Sequence, residues 1–502
     1  MAVADQYAER ESHFWFAVDG DGDGVRAIVV DSPSVRVLAG PPAQLQLFLP
    51  GTARPGDTVR VTAALLDAAG SAGVEFAGEL LLASDERWPG MPQRVALPAE
   101  ADGRVHFDFT LPGDAPEGIL RFGAVAVTGE TTEASPRQPL GALSNPMRIS
   151  RDAPRILWAD LPGHSNLSDG TGTPEDYYTY ARDVAALDVA ALTDHDHWGV
   201  RFLDARPELW QRIQAATLAA NAPRSFTSLL AFEWTNWIHG HRHVVYFEDE
   251  GPMISSIDPA TDDPAELWDT LRDLPALTFA HHSAGAPVPT NWSFAPDPEL
   301  EPITEVASVH GTSEAYDAPL RIRGAWKGNF VRDVLDAGAQ LGFIGSGDSH
   351  DGHPGLAQLA SGTGGLAALF AEENTRGAVR ASLQQRACYA TSGPRMLLFA
   401  ELGDAPIGAE LAAADLTPTT TLSVGLFGTA PLTRLEVIRS GQVVKVLDAL
   451  DMEQDAEAPP DFEATFPLAM LGLGDLAAGE YVYLRAVQAG PGVAWSSPWF
   501  VR

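Results

Sequence analysis

Histidine is unevenly distributed along this chain. Of its 13 histidines, 11 lie between His164 and His353, and only His13 and His106 lie outside that window. Imidazole nitrogens combined with carboxylate oxygens, without thiolates, suit Zn, Mn or Fe. Because Cys388 is the only cysteine, a zinc site built from several thiolates is excluded. The clustering therefore predicts a metal site with nitrogen and oxygen ligands in the middle of the chain.

The polar candidates share a position relative to the elements that would carry them. Each follows, directly or within a few residues, a short apolar run that reads as a β-strand: ILWA, VAALT, SLLAF, ALTFA, EVASV and LGFIG. In chain order, the residues after these runs are His164 and Asp169, the run 194–197, Glu233, His281 and His282, His310, and the run 348–350. In a parallel barrel the carboxyl ends of the strands share one face. The spacing therefore predicts that these residues meet at one polynuclear metal site.

Six motifs together resemble the PHP (polymerase and histidinol phosphatase) superfamily of metal-dependent hydrolases. The resemblance covers about 155–395, and CYATSGPR at 388–395 is similar to the branch that includes carbaryl and other carbamate hydrolases (the CehA/McbA type). The motifs are DLPGHSNLSDG at 160–170, ALTDHDH at 191–197, FEW at 232–234, AHH at 280–282, VHGTSE at 309–314 and GDSHDGHPG at 347–355.

The resemblance implies a fold, a cofactor and a set of ligands. Members of the superfamily have a distorted seven-stranded βα barrel that holds two or three divalent metal ions, for which Zn, Mn or Fe is expected here. Glu233 is the implied bridging carboxylate. The implied metal ligands are His164, Asp169, His195, Glu233, His281, His310, Asp348 and His350.

Pro162 stands where the first motif of the superfamily has a histidine. Proline cannot ligate a metal, so one ion is expected to lack a ligand unless a nearby residue substitutes. The segment HGHRH at 239–243 offers candidates, because the two-residue period of a strand would place its histidines on one side. An exposed His-rich turn is the alternative. Possible additional ligands or substrate contacts are His239, His241, His243, His282 and Arg242.

A site of this kind would support hydrolysis. Two divalent ions about 3.5–4 Å apart lower the pKa of a bound water toward ~7 and polarise the substrate oxygen. The leaving group then needs a proton donor, for which His197, Asp196 and His353 are the catalytic candidates. Alternatively, Asp194 and Asp196 would orient the imidazole ligands.

The residues around the motifs indicate which bond is cut. Phosphate sites usually contain Arg or Lys clamps, and within the ligand motifs and strand ends only Arg242 is basic. Tryptophans are frequent near the motifs, which favours a pocket for an aryl or alkyl group. We therefore expect a metal-activated water to cleave a carbamate, ester or amide bond of a small molecule. A PHP-type phosphoesterase and a catalytically degenerate binding protein are the alternatives.

The rest of the sequence predicts the elements that hold the site. Residues 1–150 and 396–502 contain short β-rich runs between turn clusters, typical of β-sandwich-like domains. Residues 151–395 alternate apolar runs with helical segments, so the predicted class is α/β, a distorted (β/α)7 PHP-type barrel flanked by the two β domains. Thr173 and Pro174 mark the start of a helix. Further helices are predicted over about 205–221, 264–273, 318–338 and 373–387.

Charge and hydropathy restrict the partners. The formal net charge is -34, from 67 acidic and 33 basic residues, and this field would repel the backbone of a nucleic acid. The sequence has no uninterrupted apolar run of about 18 residues, and its N-terminus lacks the apolar region of a secretion signal. We expect a cytoplasmic enzyme with a small-molecule substrate and with neither nucleic-acid nor membrane partners. The oligomeric state stays open.

Overall fold

A computed structural model of the chain describes residues 5–29, 31–83, 88, 90–128, 139–453 and 460–502. Strands dominate the N-terminal region. They are β1 (Glu9–His13), β2 (Ala17–Val18), β3 (Ala27–Ile28), β4 (Ser34–Val37), β5 (Gln44–Phe48), β6 (Thr52–Ala53), β7 (Thr58–Leu66), β8 (Gly78–Leu82), β9 (Arg94–Leu97), β10 (Arg104–Thr110), β11 (Gly118–Leu120), β12 (Gly123–Thr128), β13 (Leu140–Leu143) and β14 (Met147–Ile149).

Two antiparallel sheets of this region enclose a hydrophobic core. One sheet has the strand order β10–β7–β5 and the other β13–β12–β8–β9. At the start of β7, Thr58 and Arg60 are exposed whereas Val59 and Val61 are buried. This alternation, with a period of two residues, is typical of a strand that buries one face. Buried side chains from both sheets, among them Val61 of β7 and Leu80 of β8, belong to one cluster.

Strands and helices alternate in the central region. Its strands are β15 (Ile156–Asp160), β16 (Val189–Leu192), β17 (Thr227–Trp234), β18 (Arg242–Tyr246), β19 (Ala276–Ala280), β20 (Ile303–Ser308), β21 (Gly311–Thr312), β22 (Gly342–Gly345), β23 (Leu366–Phe370) and β24 (Cys388–Thr391). Its helices are α1 (Pro174–Asp183), α2 (Pro207–Ala220), α3 (Pro264–Leu271), α4 (Val331–Asp336), α5 (Gln358–Ser361) and α6 (Arg376–Gln384).

Most strands that precede the predicted ligands are neighbours in one sheet. Its order here is β19–β18–β17–β16–β15–β23–β24, and β15, β16 and β17 are parallel. β18 and β23 are antiparallel to their neighbours. Only residues 235–241 separate β18 from β17, too few for the crossover of about a dozen residues that a parallel neighbour needs. β20 and β22 are parallel to each other in a separate sheet. The fold is therefore mixed α/β, with more strand than helix.

Four of the helices form where the sequence predicts them. Thr173 caps α1, and α2, α3 and α6 fall within the predicted ranges. The predicted helix over 318–338 is wrong in extent, since within it only α4 and no longer helix is formed. Pro319 has no backbone N–H to donate, and Gly324 and Gly328 adopt positive φ angles of 65° and 90°. These are conformations that interrupt a helix.

The C-terminal region consists mainly of strands. They are β25 (Leu397–Leu402), β26 (Ala405–Pro406), β27 (Glu410–Leu411), β28 (Thr421–Phe427), β29 (Leu432–Arg439), β30 (Gln442–Asp448), β31 (Asp461–Pro467), β32 (Tyr481–Gln488), β33 (Val493–Ser496) and β34 (Trp499–Val501). The large sheet continues from β24 into this region through β33, β32, β29 and β30. A second C-terminal sheet has the order β26–β25–β28–β31.

One hydrophobic core connects the three regions. Phe48 and Leu66 from the N-terminal region, Trp158 and Tyr389 from the central region, and Leu484 from the C-terminal region belong to the same cluster of buried side chains. The division into three domains at residues 150 and 395 stays a prediction. Within the described part of the chain, no helix has the length and apolarity needed to cross a bilayer.

Candidate metal centre

The loop after β15 is fixed by the buried carboxylate of Asp194. It accepts hydrogen bonds from the Ser165 N–H at 2.8 Å, from the Ser165 hydroxyl at 2.6 Å and from the Ser168 hydroxyl at 2.6 Å. This loop carries His164, whose side chain is fully buried. Asp194 therefore joins the ends of β15 and β16 and holds the loop in place.

β17, β18 and β19 present their candidates on one face of the sheet. Glu233 lies directly opposite His243 in the antiparallel pairing of β17 with β18. Residues opposite one another share a face, and so do residues two apart along a strand. His241 therefore lies on the same face as His243. The N–H of His281 donates to the His241 carbonyl at 3.1 Å, which brings the end of β19 to the same place.

The carboxylate of Glu233 lies at the centre of the site and is 1% exposed. Its Oε1 lies 2.7 Å from His241 Nδ1 and 3.5 Å from His195 Nδ1. Its Oε2 lies 3.3 Å from His164 Nε2 and 3.9 Å from His243 Nδ1. Four imidazoles thus surround one buried carboxylate, and a carboxylate in this position is able to bridge two cations.

Asp348 forms a second buried centre beside Glu233. Its Oδ1 lies 3.2 Å from His164 Nε2, and its Oδ2 lies 3.0 Å from His310 Nε2 and 3.4 Å from His281 Nε2. Its φ angle of 46° lies in the left-handed region, which is uncommon for a residue other than glycine. His164, Glu233 and Asp348 offer ligand atoms that all lie within 4.8 Å of one another.

A third group of ligand atoms surrounds Asp169 near the entrance. Its Oδ1 lies 3.5 Å from His195 Nε2, 3.6 Å from His350 Nε2 and 3.8 Å from His164 Nδ1. The Trp198 indole N–H donates to Asp169 Oδ2 at 2.9 Å and holds the carboxylate in position. This group is less buried than the first two.

One cavity of about 220 Å³ is lined by all eight predicted metal ligands. The structure thus brings together residues from six separate strand ends. Neither Lys nor Arg is among the described residues that line it. The remaining lining residues are Trp198, Trp237, His241, His282 and Pro287.

In three imidazoles, a hydrogen-bond acceptor at Nδ1 directs the Nε2 atom toward the cavity. An acceptor at Nδ1 keeps the proton there and leaves the Nε2 lone pair for a ligand, as in most metal-binding histidines. The pairs are His195 Nδ1 with the Thr235 hydroxyl at 2.7 Å, His281 Nδ1 with the Glu305 carboxylate at 2.9 Å, and His350 Nδ1 with the Asp348 carbonyl at 2.9 Å.

The donor atoms of the site fit a metal ion. Buried polar atoms without partners cost about 1–3 kcal/mol each, and a divalent cation would satisfy several of them at once. A set of imidazoles and carboxylates without thiolate suits Zn, Mn or Fe. The buried atoms that form no hydrogen bond within the described part of the chain include both carboxylate oxygens of Glu233 and of Asp348, Nε2 of His164 and of His241, Nδ1 of His282, and both ring nitrogens of His243.

Burial and mutual contacts set the charges in the site. Burial opposes ionisation of Glu233 and Asp348, but the neighbouring imidazoles outweigh it and hold the pKa of both carboxyls well below the usual range. Burial also lowers the pKa of His195 to about 3 and holds the pKa of His243 and of His282 well below the usual range. Both effects favour carboxylates and neutral imidazoles, which are the forms that bind a metal.

His164 and His281 differ from the other imidazoles. Burial lowers the pKa of both, but Asp348 and Glu233 beside His164, and Glu305 and Asp348 beside His281, outweigh it and hold the pKa well above the usual range. Without metal these imidazoles keep their protons to higher pH, and an incoming cation must displace those protons.

We therefore predict that metal uptake releases protons and that metal affinity rises with pH. Calorimetry in buffers of different ionisation enthalpy measures this, and equal affinity at about pH 6 and about pH 8 would contradict it.

Glu305 holds His281 in position through hydrogen bonds. Its carboxylate accepts from His281 Nδ1, from the Ser346 hydroxyl and from the His282 N–H. Glu305→Gln removes the charge that orients His281, so we predict a fall in metal affinity of about 10–100-fold with the fold retained. Competition with a chelating indicator measures the affinity. The exposed control Glu299→Gln should bind like the unmodified protein, and an unchanged affinity in Glu305→Gln would show that its contact with His281 is dispensable.

His197 and Asp196, two of the predicted proton donors, do not line the cavity. Nδ1 of His197 lies 2.9 Å from the carboxylate of Asp204. The Asp196 carboxylate is buried and accepts from the Thr235 N–H at 2.8 Å and from the Ser256 N–H at 2.5 Å. Asp196 thus connects the loops after β16 and β17, and the catalytic role of both residues stays a prediction.

His353, His239 and Arg242 also lie outside the cavity lining. His353, the third predicted proton donor, borders a separate crevice between the N-terminal and central regions. His239 Nδ1 lies 3.1 Å from the Asn291 side-chain amide. Arg242 is buried in an ion pair with Glu301 at 2.9 Å. Of the additional candidates, only His241 and His282 line the cavity. His243 does not line it, and its Nδ1 lies 3.9 Å from Glu233 Oε2.

The matched relatives of this chain are uncharacterised proteins. The family model described as "Protein of unknown function (DUF3604)" matches residues 189–318 and 355–405. An uncharacterized protein of Chlamydia pneumoniae is 26% identical over 379 residues, which cover 72% of this chain and 59% of the relative. An uncharacterized protein of Chlamydia muridarum is 24% identical over 376 residues, with 70% and 58% covered. The chain thus spans about three fifths of the length of these relatives.

Two solved structures are similar to parts of this chain. One, from Bacteroides vulgatus, is described as a two-domain protein containing a "predicted PHP-like metal-dependent phosphoesterase". It has 13% identity and a TM-score of 0.36, and covers 69% of this chain and 96% of that chain. A Paenibacillus cycloisomaltooligosaccharide glucanotransferase has 11% identity and a TM-score of 0.25, with 92% and 72% covered. TM-scores of this size do not establish a shared fold.

Proposed function

We propose that this chain is a metal-dependent hydrolase of the PHP type. One observation carries the proposal. Imidazole nitrogens and carboxylate oxygens from six strand ends meet in one cavity, and many of these buried atoms have no hydrogen-bond partner among the described residues. Two or three divalent cations bound there would lower the pKa of water and polarise the substrate oxygen. The residues Glu233 and Asp348 would supply the negative charge that holds the cations.

The PHP-type barrel is part of the same proposal. β15, β16 and β17 are parallel, and α1 and α2 follow β15 and β16, as βα units require. The predicted ligands His164, Asp169, His195 and Glu233 lie at or after the carboxyl ends of these strands, which is where barrel enzymes have their active sites. The reversed strands β18 and β23 would be the distortion of a seven-stranded βα barrel.

We propose a carbamate, ester or amide substrate with an apolar group, as in the carbamate-hydrolase branch. Trp198 and Trp237 border the cavity, with ring centroids 5.1 Å apart, and Pro287 adds a further apolar surface. Among the described lining residues no Lys or Arg is present to clamp a phosphate. The indole of Trp198 is held by Asp169, so the apolar surface lies next to the metal ligands.

Parallel assays test the activity and the substrate class. Hydrolysis of an aryl N-methylcarbamate, an aryl acetate and an aryl phosphate is compared under one metal loading, before and after treatment with a chelator. We expect turnover of the carbamate or acetate that the chelator abolishes and that added metal restores. Preference for the phosphate would replace the proposed substrate class by the phosphoester alternative. Tight metal binding without turnover of any substrate would favour the degenerate binding protein.

A further inference from the structure

One candidate metal position has three predicted ligands, and Pro162 replaces the further histidine that the first motif of the PHP superfamily would supply. His164, Glu233 and Asp348 offer three ligand atoms within 4.8 Å of one another. Pro162, two residues before His164, is buried, and its side chain has no ligand atom. A structural cation site of the zinc type takes four ligands, and a catalytic one takes three with an open position for water. Three ligands therefore leave one position of such a cation open, for water or for a further residue.

His243 lies beside Glu233, one of these three residues. It faces Glu233 directly across the β17–β18 pair, so both side chains point to the same face of the sheet. Its Nδ1 lies 3.9 Å from Glu233 Oε2, and its ring centroid lies 4.6 Å from that of His281. Glu233, His243 and His281 offer ligand atoms within 4.8 Å of one another.

Among the described residues, no contact indicates another role for the His243 ring. The side chain is 0% exposed, and neither ring nitrogen forms a hydrogen bond within the described part of the chain. A fully buried imidazole with two unpaired nitrogens is costly. A cation beside Glu233 would remove that cost, because it would accept one lone pair of the ring.

We propose that His243 is a ligand of the cation held by His164, Glu233 and Asp348, and that it compensates for the missing side chain at Pro162. This assignment rests on the proposed metal-dependent function. The reversed strand β18 would thus contribute a ligand next to Glu233 of β17. The ligand set of this cation is His164, Glu233, Asp348 and His243.

The neighbouring residues of the same segment are placed differently. His239 precedes β18 and contacts Asn291 outside the cavity. Arg242 alternates with His243 along the strand, so it faces the other side, where it pairs with Glu301. His241 contacts Glu233 Oε1 rather than Oε2 and groups with His282. His243 is therefore the residue of this segment that lies nearest to the Oε2 side of Glu233, which His164 also contacts.

Metal content of variants tests the assignment. The unmodified protein, His243→Ala, His243→Phe and the matched control His239→Ala are loaded with Zn²⁺, gel-filtered and analysed by elemental mass spectrometry. Co²⁺ titration followed by visible absorption reports the ligand field independently of activity. We expect both His243 variants to lose one cation per chain and the corresponding Co²⁺ absorption, whereas His239→Ala keeps them. The phenylalanine variant retains the ring volume, so a loss shared by both variants is not a packing defect.

A compensating variant separates ligation from indirect effects. Adding Pro162→His to His243→Phe should restore the lost cation, because the histidine returns to the first motif. Full metal content in both His243 variants would overturn the assignment, and so would a double variant that is folded by circular dichroism but still lacks the cation. Loss of the cation in His241→Ala instead of the His243 variants would also overturn it. Absence of metal from the unmodified protein would refute the proposed function itself, which is a different result from each of these.

Discussion

Glu233→Gln should abolish hydrolysis and remove bound metal while leaving the protein folded. The carboxylate is surrounded by His164, His195, His241 and His243 at 2.7–3.9 Å, and both of its oxygens lack hydrogen-bond partners among the described residues. An amide carries no charge and offers only one oxygen, so it cannot bridge two cations. We expect turnover to fall by at least about 1,000-fold, more than the effect of losing an outer-shell partner.

The measurement combines kinetics, metal analysis and circular dichroism. Glu299→Gln, at an exposed position, is the matched control and should retain metal and turnover. Turnover within a few-fold of the unmodified protein in a folded Glu233→Gln variant would mean that this carboxylate is not a metal ligand. Asp348→Asn should give the same loss, since Asp348 contacts His164, His281 and His310.

Glu314→Ala should destabilise the fold more than any surface change. The Glu314 carboxylate is 1% exposed and accepts hydrogen bonds from Arg485 at 2.8 Å, from the Tyr483 hydroxyl at 2.6 Å and from the Trp495 indole at 2.6 Å. It thereby joins the loop after β21 to β32 and β33. Without it, Arg485 would stay buried and, among the described residues, would keep Glu436 alone as an ionic partner.

Removing one partner of a buried ion pair costs about 3–5 kcal/mol, and we expect a loss of that size in the free energy of unfolding. Urea unfolding followed by tryptophan fluorescence measures it. Asp475→Ala is the control, because Asp475 pairs with Arg439 at the surface and its side chain is 85% exposed. It should change the midpoint little. Equal midpoints for Glu314→Ala and Asp475→Ala would contradict the structural role of Glu314.

The meeting of the eight predicted ligands in one cavity could be predicted from the sequence because strand ends carry a local signal. Each ligand follows an apolar run, and parallel packing brings such ends together. The placement of the proton-donor candidates was not predictable in this way. His353 is close in sequence to Asp348 and His350, but a turn with Gly352 at a φ of 78° intervenes, and its ring borders another crevice.

Supporting residues were harder to predict because their orientation depends on strand register. Glu305 belongs to the run EVASV, and its only signal is a charged residue inside an otherwise apolar strand. Thr235 gives no signal at all, since a hydroxyl after a strand end is common. The placement of His241 and His243 on one side follows from the strand period, since His241 directly precedes β18. His239 does not follow this period because it lies in the preceding turn, before Gly240 with its positive φ of 82°.

Anomalous diffraction from crystals grown with Zn²⁺ or Mn²⁺ tests the central claim most directly. We predict at least two anomalous peaks inside the cavity, one of them within about 2.0–2.3 Å of Glu233 and Asp348 oxygens and His164 Nε2. A cavity in which His164, Glu233 and Asp348 surround no anomalous peak at full metal loading would contradict it.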